Sequence, residues 1–431
     1  MATCRDLGVV PGPQLNLLRS RRLGSTYGGG MVNVFLPSSR PAVFVGISAL
    51  LAGALALSGC SSAPKKMVAA PSTTVTPPPA STTAAVAPQR FKATGIPAAL
   101  AAVIKPLYLG GPVPSSPSAS TVLLKRKPVP APKSVVVKGT VGSWKGVPIA
   151  VVTSGKDVTL AVKAPTWKVV GGWWPSVGVS TPSLGGAPRR VLLIGSDARP
   201  GQAVQGSRAD SLHIVAFDGH GGGGILGIPR DSYVPLSTGG KGKINSAMVF
   251  GGAKAQQQTV ASLTGVPLDG YMATGFAGFK LLIHGIGGLS INIPVAVNDS
   301  GSHVNVKAGP NKLTGPQALA YGRARHAVAG GDFGRSANQG LEIMAAAGFA
   351  KLSGPARLPG ILQIAAPRIA TNLSAEQVLT FAAGVYITKP SKVHNRVAIG
   401  GFGMTSDGQS IVLLNANARR MFADIRDGNL S

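Results

Sequence analysis

The segment 191–231 constrains the fold more than any other part of this chain. It holds three short apolar runs, VLLIG, SLHIVAF and GILGIP, and each of them ends at a turn with Gly, Pro or a charged residue. Runs of this length with these boundaries are typical of buried β-strands. The segment is therefore predicted to form part of a buried sheet, with charged side chains at the strand ends.

The acidic residues of the chain are concentrated in the same segment. The chain has 14 Asp and Glu residues, and four of them lie here: Asp197, Asp210, Asp218 and Asp231. Three have an arginine close by: Asp197 with Arg199, Asp210 with Arg208, and Asp231 with Arg230. Mg²⁺ binds one or two carboxylates together with phosphate oxygens, and arginine binds phosphate through two parallel hydrogen bonds. Surface ion pairs are the alternative for any one pair, but three pairs in an acid-poor chain favour a metal and phosphate site.

The net charge of +28 requires an anionic partner or surface. The 42 Lys and Arg residues are scattered, and the sequence contains no helix-turn-helix pattern, zinc-ligand spacing or aromatic-rich basic strand. Nucleic acid is therefore disfavoured, whereas anionic membrane headgroups or acidic cell-envelope polymers fit. The two cysteines, Cys4 and Cys60, indicate neither a disulfide framework nor a cysteine metal site.

The N-terminal region has the features of an export signal. Arg40 precedes an apolar run at 42–57, which is shorter than the roughly 20 residues of a membrane span, and LSGC follows it. The tetrapeptide resembles the lipobox of bacterial lipoproteins, which implies lipidation of Cys60; a plain signal anchor is the alternative. Met31 gives a conventional start for such a signal. Either reading places the functional part on the extracytoplasmic face of a bacterial membrane and argues against a transcriptional regulator.

Composition divides the chain into four predicted regions. They are an N-terminal extension and signal (1–60), a Pro/Ala/Thr-rich disordered tether (61–120), a small β-rich segment (121–185) and the main domain (186–431). All four tryptophans lie in the β-rich segment. They are predicted to form the core of a small sheet, with stacking on sugars as the alternative.

Two further clusters in the main domain carry polar side chains. Lys243 and Asn245 lie in a glycine-flanked turn before a predicted helix, a setting that favours anions. The segment 318–339 gathers five candidates: Arg323, Arg325, Asp332, Arg335 and Gln339. Arg335 and Gln339 are four positions apart and share a helix face near a helix start, which predicts an anion clamp. A basic solvated loop is the alternative.

The motifs GSDARPG, RADS, IPRDSYV, KINSA, LTGPQALAYGRARH and GDFGRSANQ follow one another in an order that resembles the LytR-CpsA-Psr family. The resemblance covers roughly 189–428. It implies an α/β fold with a mixed central sheet flanked by helices around a lipid tunnel. It also implies an extracytoplasmic enzyme that transfers a glycopolymer from a polyprenyl-pyrophosphate carrier to peptidoglycan. The link formed is a phosphodiester, and Mg²⁺ or Mn²⁺ is the metal.

The same resemblance implies roles for individual residues. Asp197 and Asp210 hold the metal, and Asp332 orients the arginines. The pyrophosphate is lined by Arg208, Arg230, Arg323, Arg325, Arg335 and Gln339. Apart from the resemblance, the position of Asp231 beside Arg230 predicts that it organises the site or assists deprotonation, and Arg199, Lys243 and Asn245 are predicted as further substrate contacts. The apolar stripe 276–286, which by periodicity alone is a core stripe, becomes a wall for the prenyl chain.

Two motifs depart from the family pattern. Asn338 stands where an arginine is usual, which removes one contact of the clamp, and RADS replaces the commoner RSDT while keeping both charges. Two other functions stay open on sequence alone. One is a non-catalytic envelope lipoprotein that binds polyprenyl phosphates or anionic wall polymer, and the other is a hydrolase that cleaves the same pyrophosphate with water.

Overall fold

The computed structural model describes residues 90–131 and 133–431. The predicted signal, Cys60 with its predicted lipid, and residues 61–89 of the predicted tether lie outside the described residues. Among the residues that are described, no helix combines the length and the hydropathy needed to cross a bilayer.

In the described part of the chain, residues 90–183 build a six-stranded sheet with two helices. The elements are β1 (Phe91–Thr94), α1 (Ala98–Leu109), α2 (Pro117–Leu123), β2 (Val135–Trp144), β3 (Val147–Ser154), β4 (Asp157–Lys163), β5 (Trp167–Trp174) and β6 (Val179–Ser183). The strands are ordered β1-β2-β3-β4-β5-β6. β1 and β2 are parallel and the other neighbours are antiparallel. α1 and α2 supply the long crossover that a parallel pair requires.

This sheet corrects the prediction of a tether through residue 120. The chain is folded from Phe91, because Leu100, Ile104, Leu107 and Tyr108 recur at helical spacing on α1 and are fully buried against the sheet. The predicted β-rich segment is confirmed as a sheet, with its start moved from residue 121 to Phe91. Three of the four tryptophans (Trp144, Trp167 and Trp174) are buried in it, as the core assignment predicted.

The rest of the described chain is organised around a second sheet. The strands of this part of the chain, inside and outside the second sheet, are β7 (Arg189–Ser196), β8 (Ala209–Phe217), β9 (Gly223–Gly227), β10 (Tyr233–Pro235), β11 (Lys241–Lys243), β12 (Gly270–Thr274), β13 (Leu289–Ile293), β14 (Val297–Asp299), β15 (Val304–Val306), β16 (Gly309–Leu313), β17 (Ala370–Thr371), β18 (Val393–Val397), β19 (Gly400–Met404) and β20 (Ser410–Leu414). Its helices are α3 (Ala247–Thr264), α4 (Phe276–Gly285), α5 (Gly315–Tyr321), α6 (Asp332–Ser353), α7 (Leu358–Ala365), α8 (Ala375–Ile387) and α9 (Ala416–Asp424).

The second sheet is mixed, in the order β17-β12-β7-β8-β9-β18. β8 is antiparallel to β7 and β9, whereas β12 and β18 run parallel to β7 and β9. The three apolar runs of the segment 191–231 form β7, β8 and β9, so the predicted strands are confirmed. β10 and β11, β13 and β16, β14 and β15, and β19 and β20 form separate antiparallel pairs.

The two sheets share one helical layer. Side chains alternate along β7, so that Val191 faces a core with α7 and α8 while Leu192 faces a core with α3 and α9. Residues alternate in the same way along β3, with Val151 towards α7 and α8 and Val152 towards α1. The layers are therefore α1 and α2, the first sheet, α7 and α8, the second sheet, and α3 and α9. The α/β fold with a mixed sheet flanked by helices is confirmed.

Candidate functional site

A bulge at the end of β7 and β8 exposes the first acidic pair. Gly195 pairs with Ser211 and Ser196 pairs with Ala209, so Asp210 is an extra residue on β8. Bulges re-aim side chains at the ends of strands. One step further, Asp197 Oδ1 accepts a hydrogen bond from the Arg208 backbone N–H at 2.9 Å.

Arg230 joins this bulge to the turn after β9. Its Nη1 lies 2.7 Å from Asp210 Oδ1, and its Nε lies 3.8 Å from Asp231 Oδ2 and 3.9 Å from Asp332 Oδ1. Burial lowers the pKa of Arg230, and the carboxylates of Asp210, Asp231 and Asp332 raise it by more, so the net shift is upward. Arg230 therefore presents a permanent positive charge that is held in place from several sides.

Asp332 collects three guanidinium groups at the start of α6. It is 4% exposed, and its Oδ1 lies 2.6 Å from Arg335 Nη2 and 3.9 Å from the Nε atoms of both Arg325 and Arg230. Gly331, with a φ of 55°, makes the turn that places this carboxylate in the first turn of α6, where a negative charge is favourable. Burial lowers the pKa of Arg335 and Asp332 raises it, but a guanidinium group keeps its proton at neutral pH.

The remaining members of the predicted clamp lie where α5 and α6 meet. Gln339 Nε2 donates a hydrogen bond to the Gly322 carbonyl oxygen at 2.8 Å, which fixes the irregular segment that carries Arg323 and Arg325. The Arg323 guanidinium lies 5.1 Å from the centre of the Phe276 ring, a cation–π contact. Because residues 322–325 are not helical, the two arginines can face the same space despite being two positions apart.

The arginines open into an apolar cavity of about 560 Å³. Its polar end is formed by Asp210, Arg230, Arg323, Arg325, Arg335 and Gln339. Its apolar walls come from α4, α6 and α7 and include Phe276, Phe279, Leu282, Ile283, Ile286, Ala346, Phe349, Ile361 and Ile364. The structure thus places the whole stripe 276–286 on the cavity wall. A charged end and an apolar body in one cavity suit an amphiphile with an anionic head.

Other predicted site residues lie beside or behind this cavity. Asp197, Arg199 and Arg208 line a separate depression, so the structure does not place Arg199 and Arg208 with the other arginines. Lys243 Nζ lies 3.2 Å from Asp231 Oδ1, and the Asn245 backbone N–H donates to the Arg230 carbonyl oxygen at 3.2 Å. Lys243 and Asp231 therefore brace the turn of Arg230, which agrees with an organising role for Asp231.

Two acidic residues near the cavity were not identified from the sequence. Asp299 accepts hydrogen bonds through Oδ2 from the backbone N–H groups of Arg325 at 2.7 Å and His326 at 2.8 Å. These hydrogen bonds hold the pKa of Asp299 well below its ordinary value. Glu342 lines the cavity itself, and burial raises its pKa well above the ordinary value. Neither has an arginine next to it in the sequence, the signal that marked the other acids. The side chain of His326 is 82% exposed, and its Nδ1 lies 3.7 Å from Asp299 Oδ1.

The carboxylates predicted to hold the metal each keep one oxygen available. Asp210 Oδ1 pairs with Arg230 and Asp197 Oδ1 with the Arg208 backbone, and no hydrogen bond or ion pair within the described residues engages either Oδ2. Across residues 90–131 and 133–431, no three His, Cys, Asp or Glu side chains gather as a metal site of their own. Mg²⁺ takes one or two carboxylates and completes its shell with phosphate oxygens and water. Carboxylate oxygens of this kind are ligands that Mg²⁺ accepts; Asp210 lines the cavity, and Asp197 lines the separate depression.

Asn338, at the departure from the family pattern, does not line the cavity. Its Oδ1 accepts a hydrogen bond from the Tyr321 hydroxyl at 3.1 Å, which ties α6 to the end of α5. The side chain therefore supports the segment that carries Arg323 instead of adding a cation to the site.

Comparison with known proteins agrees with the order of the motifs. The model of the LytR_cpsA_psr family matches residues 177–424, which include the second sheet and the whole cavity. The chain belongs to this family. The match begins nine residues before the predicted start of the main domain at 186, inside the first sheet.

Several curated relatives are teichoic acid transferases. The polyisoprenyl-teichoic acid–peptidoglycan teichoic acid transferase TagV of Bacillus subtilis is 31% identical over 224 residues, 50% of this chain and 57% of the relative. The transferase TagU of Bacillus mycoides is 32% identical over 210 residues, 47% of this chain and 66% of the relative. The aligned part therefore spans less than two thirds of either relative.

Similar solved structures include the crystal structure of Bacillus subtilis TagV. It has a TM-score of 0.48 and 27% identity, and the alignment covers 56% of this chain and 98% of that one. A LytR-Csp2A-Psr enzyme from Actinomyces oris has a TM-score of 0.45 and 22% identity, covering 56% of this chain and 90% of that one.

Proposed function

We propose that this protein transfers a glycopolymer from a polyprenyl-pyrophosphate carrier to peptidoglycan and forms a phosphodiester link. The observation that supports this most is the junction of three guanidinium groups, held on Asp332, with an apolar cavity. A prenyl chain fits the apolar part, and a pyrophosphate fits the arginines. The names of the curated relatives agree with this reaction class.

In the proposed reaction a hydroxyl oxygen of the acceptor glycan attacks the sugar-proximal phosphorus. The bond from that phosphorus to the bridging oxygen breaks, polyprenyl phosphate leaves with the electron pair, and the proton that the hydroxyl group loses passes to the leaving phosphate, directly or through water. Arg230, Arg325 and Arg335 neutralise the negative charge that grows on the pyrophosphate, which is mostly a matter of positioning and electrostatic stabilisation. Asp332 gathers the three guanidinium groups before substrate binds, with Arg335 Nη2 at 2.6 Å and the Nε atoms of Arg230 and Arg325 at 3.9 Å from its Oδ1.

A Mg²⁺ or Mn²⁺ held by Asp197 and Asp210 belongs to the same proposal. When bound, such a cation neutralises phosphate charge and helps to orient the pyrophosphate. The Asp231 carboxylate, which pairs with Lys243, keeps Arg230 in place. Lipidation of Cys60, with the active part on the extracytoplasmic face of the membrane, completes the proposal, since the donor lipid resides in that membrane.

The test supplies the full-length protein with Mg²⁺, a polyprenyl-pyrophosphate oligosaccharide and an uncross-linked peptidoglycan oligomer. Mass spectrometry then searches for the phosphodiester-linked product. We expect product from the wild type and a loss of at least 100-fold with Arg230→Ala. The matched control is Arg419→Ala, because Arg419 is exposed on α9 and should not affect transfer. Release of the sugar phosphate without coupling would favour a hydrolase, and bound lipid without turnover would favour a binding protein.

A further inference from the structure

Glu342 is a buried acidic residue to which the proposed reaction assigns no role. It is one of the two glutamates of the chain, the other being Glu376. Glu342 is 7% exposed and lines the cavity from α6. Its Oε1 atom is buried and has no hydrogen-bond partner among the described residues. Burying a carboxyl group without a partner opposes folding, so this arrangement calls for an explanation by function.

Along α6, Glu342 lies at the border between the charged end and the apolar part of the cavity. Arg335 and Gln339 precede it on the same helix face, and Ala346 and Phe349 follow it towards the apolar end. At 1.5 Å per residue, Glu342 lies roughly 10 Å beyond Arg335 along the helix axis.

The carboxyl group itself lies against the segment that carries the arginines. A Cβ atom added to Gly322 would lie 2.6 Å from Glu342 Oε2, and Arg323 is the next residue. Gln339 donates to the carbonyl oxygen of the same Gly322. An amphiphile with its anionic head among the arginines and its chain in the apolar part would have its head–chain junction at this point.

The surroundings of Glu342 favour the protonated carboxyl group. Tyr321 on α5 lies close enough for its pKa to be raised by its own burial and by Glu342. The other charged and titratable residues that line the cavity are Asp210, Arg230, Asp299, Arg323, Arg325, His326 and Arg335. No cation among the described residues pairs with Glu342 directly, and burial raises its pKa. A protonated carboxyl group donates a hydrogen bond to an anion, whereas a carboxylate repels it.

We propose that the Glu342 carboxyl group donates a hydrogen bond to the lipid-proximal phosphate of a prenyl-linked donor and so fixes the depth of the carrier in the cavity. The proposal deepens the proposed function, on which it rests for the identity of the donor. It assigns Glu342 as a lipid-phosphate-binding residue, distinct from the arginines that bind the pyrophosphate by charge.

The test measures binding of two probes to the full-length protein in detergent by calorimetry. The probes are geranylgeranyl monophosphate and geranylgeraniol, which share the chain and differ in the phosphate. We expect Glu342→Leu to weaken binding of the monophosphate by about tenfold and to leave the alcohol within about twofold of wild type. Glu342→Gln keeps a neutral donor and should stay within about threefold for both probes. The matched control is Glu376→Gln, whose carboxylate pairs with Lys168 on the surface.

A pH series separates this role from a packing role. Above neutral pH the phosphate monoester is already a dianion, so its own titration does not contribute. Wild-type affinity for the monophosphate should fall as the pH rises through the raised pKa of Glu342, and the affinity of Glu342→Gln should not. Unchanged binding of the monophosphate by Glu342→Leu would overturn the proposal, as would an equal loss of both probes.

The outcome is independent of the transfer assay. A phosphate-specific loss with Glu342→Leu in a protein that performs no transfer would support this inference and contradict the proposed function. Transfer by the wild type together with unchanged binding of the monophosphate by Glu342→Leu would support the proposed function and contradict this inference.

Discussion

Asp332 has a larger effect on the site than its single charge suggests. It is almost fully buried, and three arginines from three different parts of the chain point at its carboxylate. Arginine side chains lose considerable rotamer freedom when they are ordered, and a shared buried partner imposes that order before substrate arrives.

The first prediction concerns Asp332→Asn, which keeps the shape and removes the charge. We expect transfer to fall by at least 100-fold, because the guanidinium groups repel one another and lose their common orientation. The change should also lower the melting temperature of the full-length protein. The assay is product formation beside thermal unfolding, with exposed Asp427→Asn as the control. Wild-type transfer by Asp332→Asn would contradict the assigned arrangement.

The second prediction concerns His213 on β8, whose side chain is hydrogen-bonded to the first turns of α6. Its Nε2–H donates to the Ser336 carbonyl oxygen at 3.0 Å, and its Nδ1 accepts from the Ser211 hydroxyl at 3.1 Å. Full burial lowers the pKa of His213 to about 4, from about 6.5 in the unfolded chain. The unfolded state therefore binds the proton more tightly, and the free energy of unfolding falls as the pH decreases from about 6.5 to about 4.

The size of this effect is about 3 kcal/mol, since each pKa unit corresponds to about 1.4 kcal/mol. Urea unfolding between pH 7 and pH 4 should show a steeper loss of stability for the wild type than for His213→Gln. Exposed His284→Gln on α4 serves as the control and should follow the wild type. Parallel curves for the wild type and His213→Gln would contradict the assignment.

Single residues also show where sequence reasoning succeeds. The arginines and Asp332 were found because local motifs mark them, and the structure brings Arg230, Arg325 and Arg335 onto that one carboxylate. Glu342 and Asp299 were missed because their importance comes from burial and from contacts with distant segments. Neither property is written in the flanking residues.

At the scale of elements, α7 links the first sheet to the cavity. Leu358 and Leu362 pack towards β2 and β3, whereas Ile361 and Ile364 line the cavity. The two pairs lie on different faces of one short helix, as a period of 3.6 residues requires. A change in how the first sheet packs should therefore reach the prenyl site through α7.

The third prediction uses a close approach between β2 and α7. A Cβ atom at Gly142 would lie 2.6 Å from the Pro359 carbonyl oxygen, so Gly142→Ala must displace the backbone of α7 or of β2. We expect it to lower stability by about 1–3 kcal/mol and to weaken binding of geranylgeranyl phosphate. Gly360→Ala on the same helix is the control, because its Cβ meets nothing within 4 Å and should stabilise the helix by up to about 1 kcal/mol. Equal effects of Gly142→Ala and Gly360→Ala would contradict the proposed coupling of the first sheet to the cavity through α7.

At the scale of the whole molecule, the two sheets cannot be separated without exposing a shared core. One continuous apolar cluster joins Trp144, Val151 and Leu160 of the first sheet to Val191 and Val215 of the second through α7 and α8. The boundary drawn from composition at residue 186 cuts through this cluster. The family match, which begins at residue 177, also starts inside the first sheet.

The fourth prediction follows from that shared core. A shortened chain that begins at residue 186 should be strongly destabilised or aggregate, because Leu358, Leu362 and their neighbours lose their cover. A chain that begins at residue 90 retains both sheets and should unfold in one cooperative transition. Calorimetry and size-exclusion chromatography of the two proteins make the comparison. A stable monomer from the shorter chain would show that the first sheet is dispensable.

The sequence by itself determined the strands β7 to β9, the stripe on α4, most of the charged cluster and the family. These follow from periodicity and from motifs a few residues long, whose physical causes are local. Tertiary structure alone decided that residues 91–120 are folded, that Arg199 and Arg208 lie apart from the other arginines, and that Glu342 is buried at the head of the apolar cavity. Those outcomes depend on which distant surfaces pack together, and burial sets both the pKa values and the cost of each unpaired polar group.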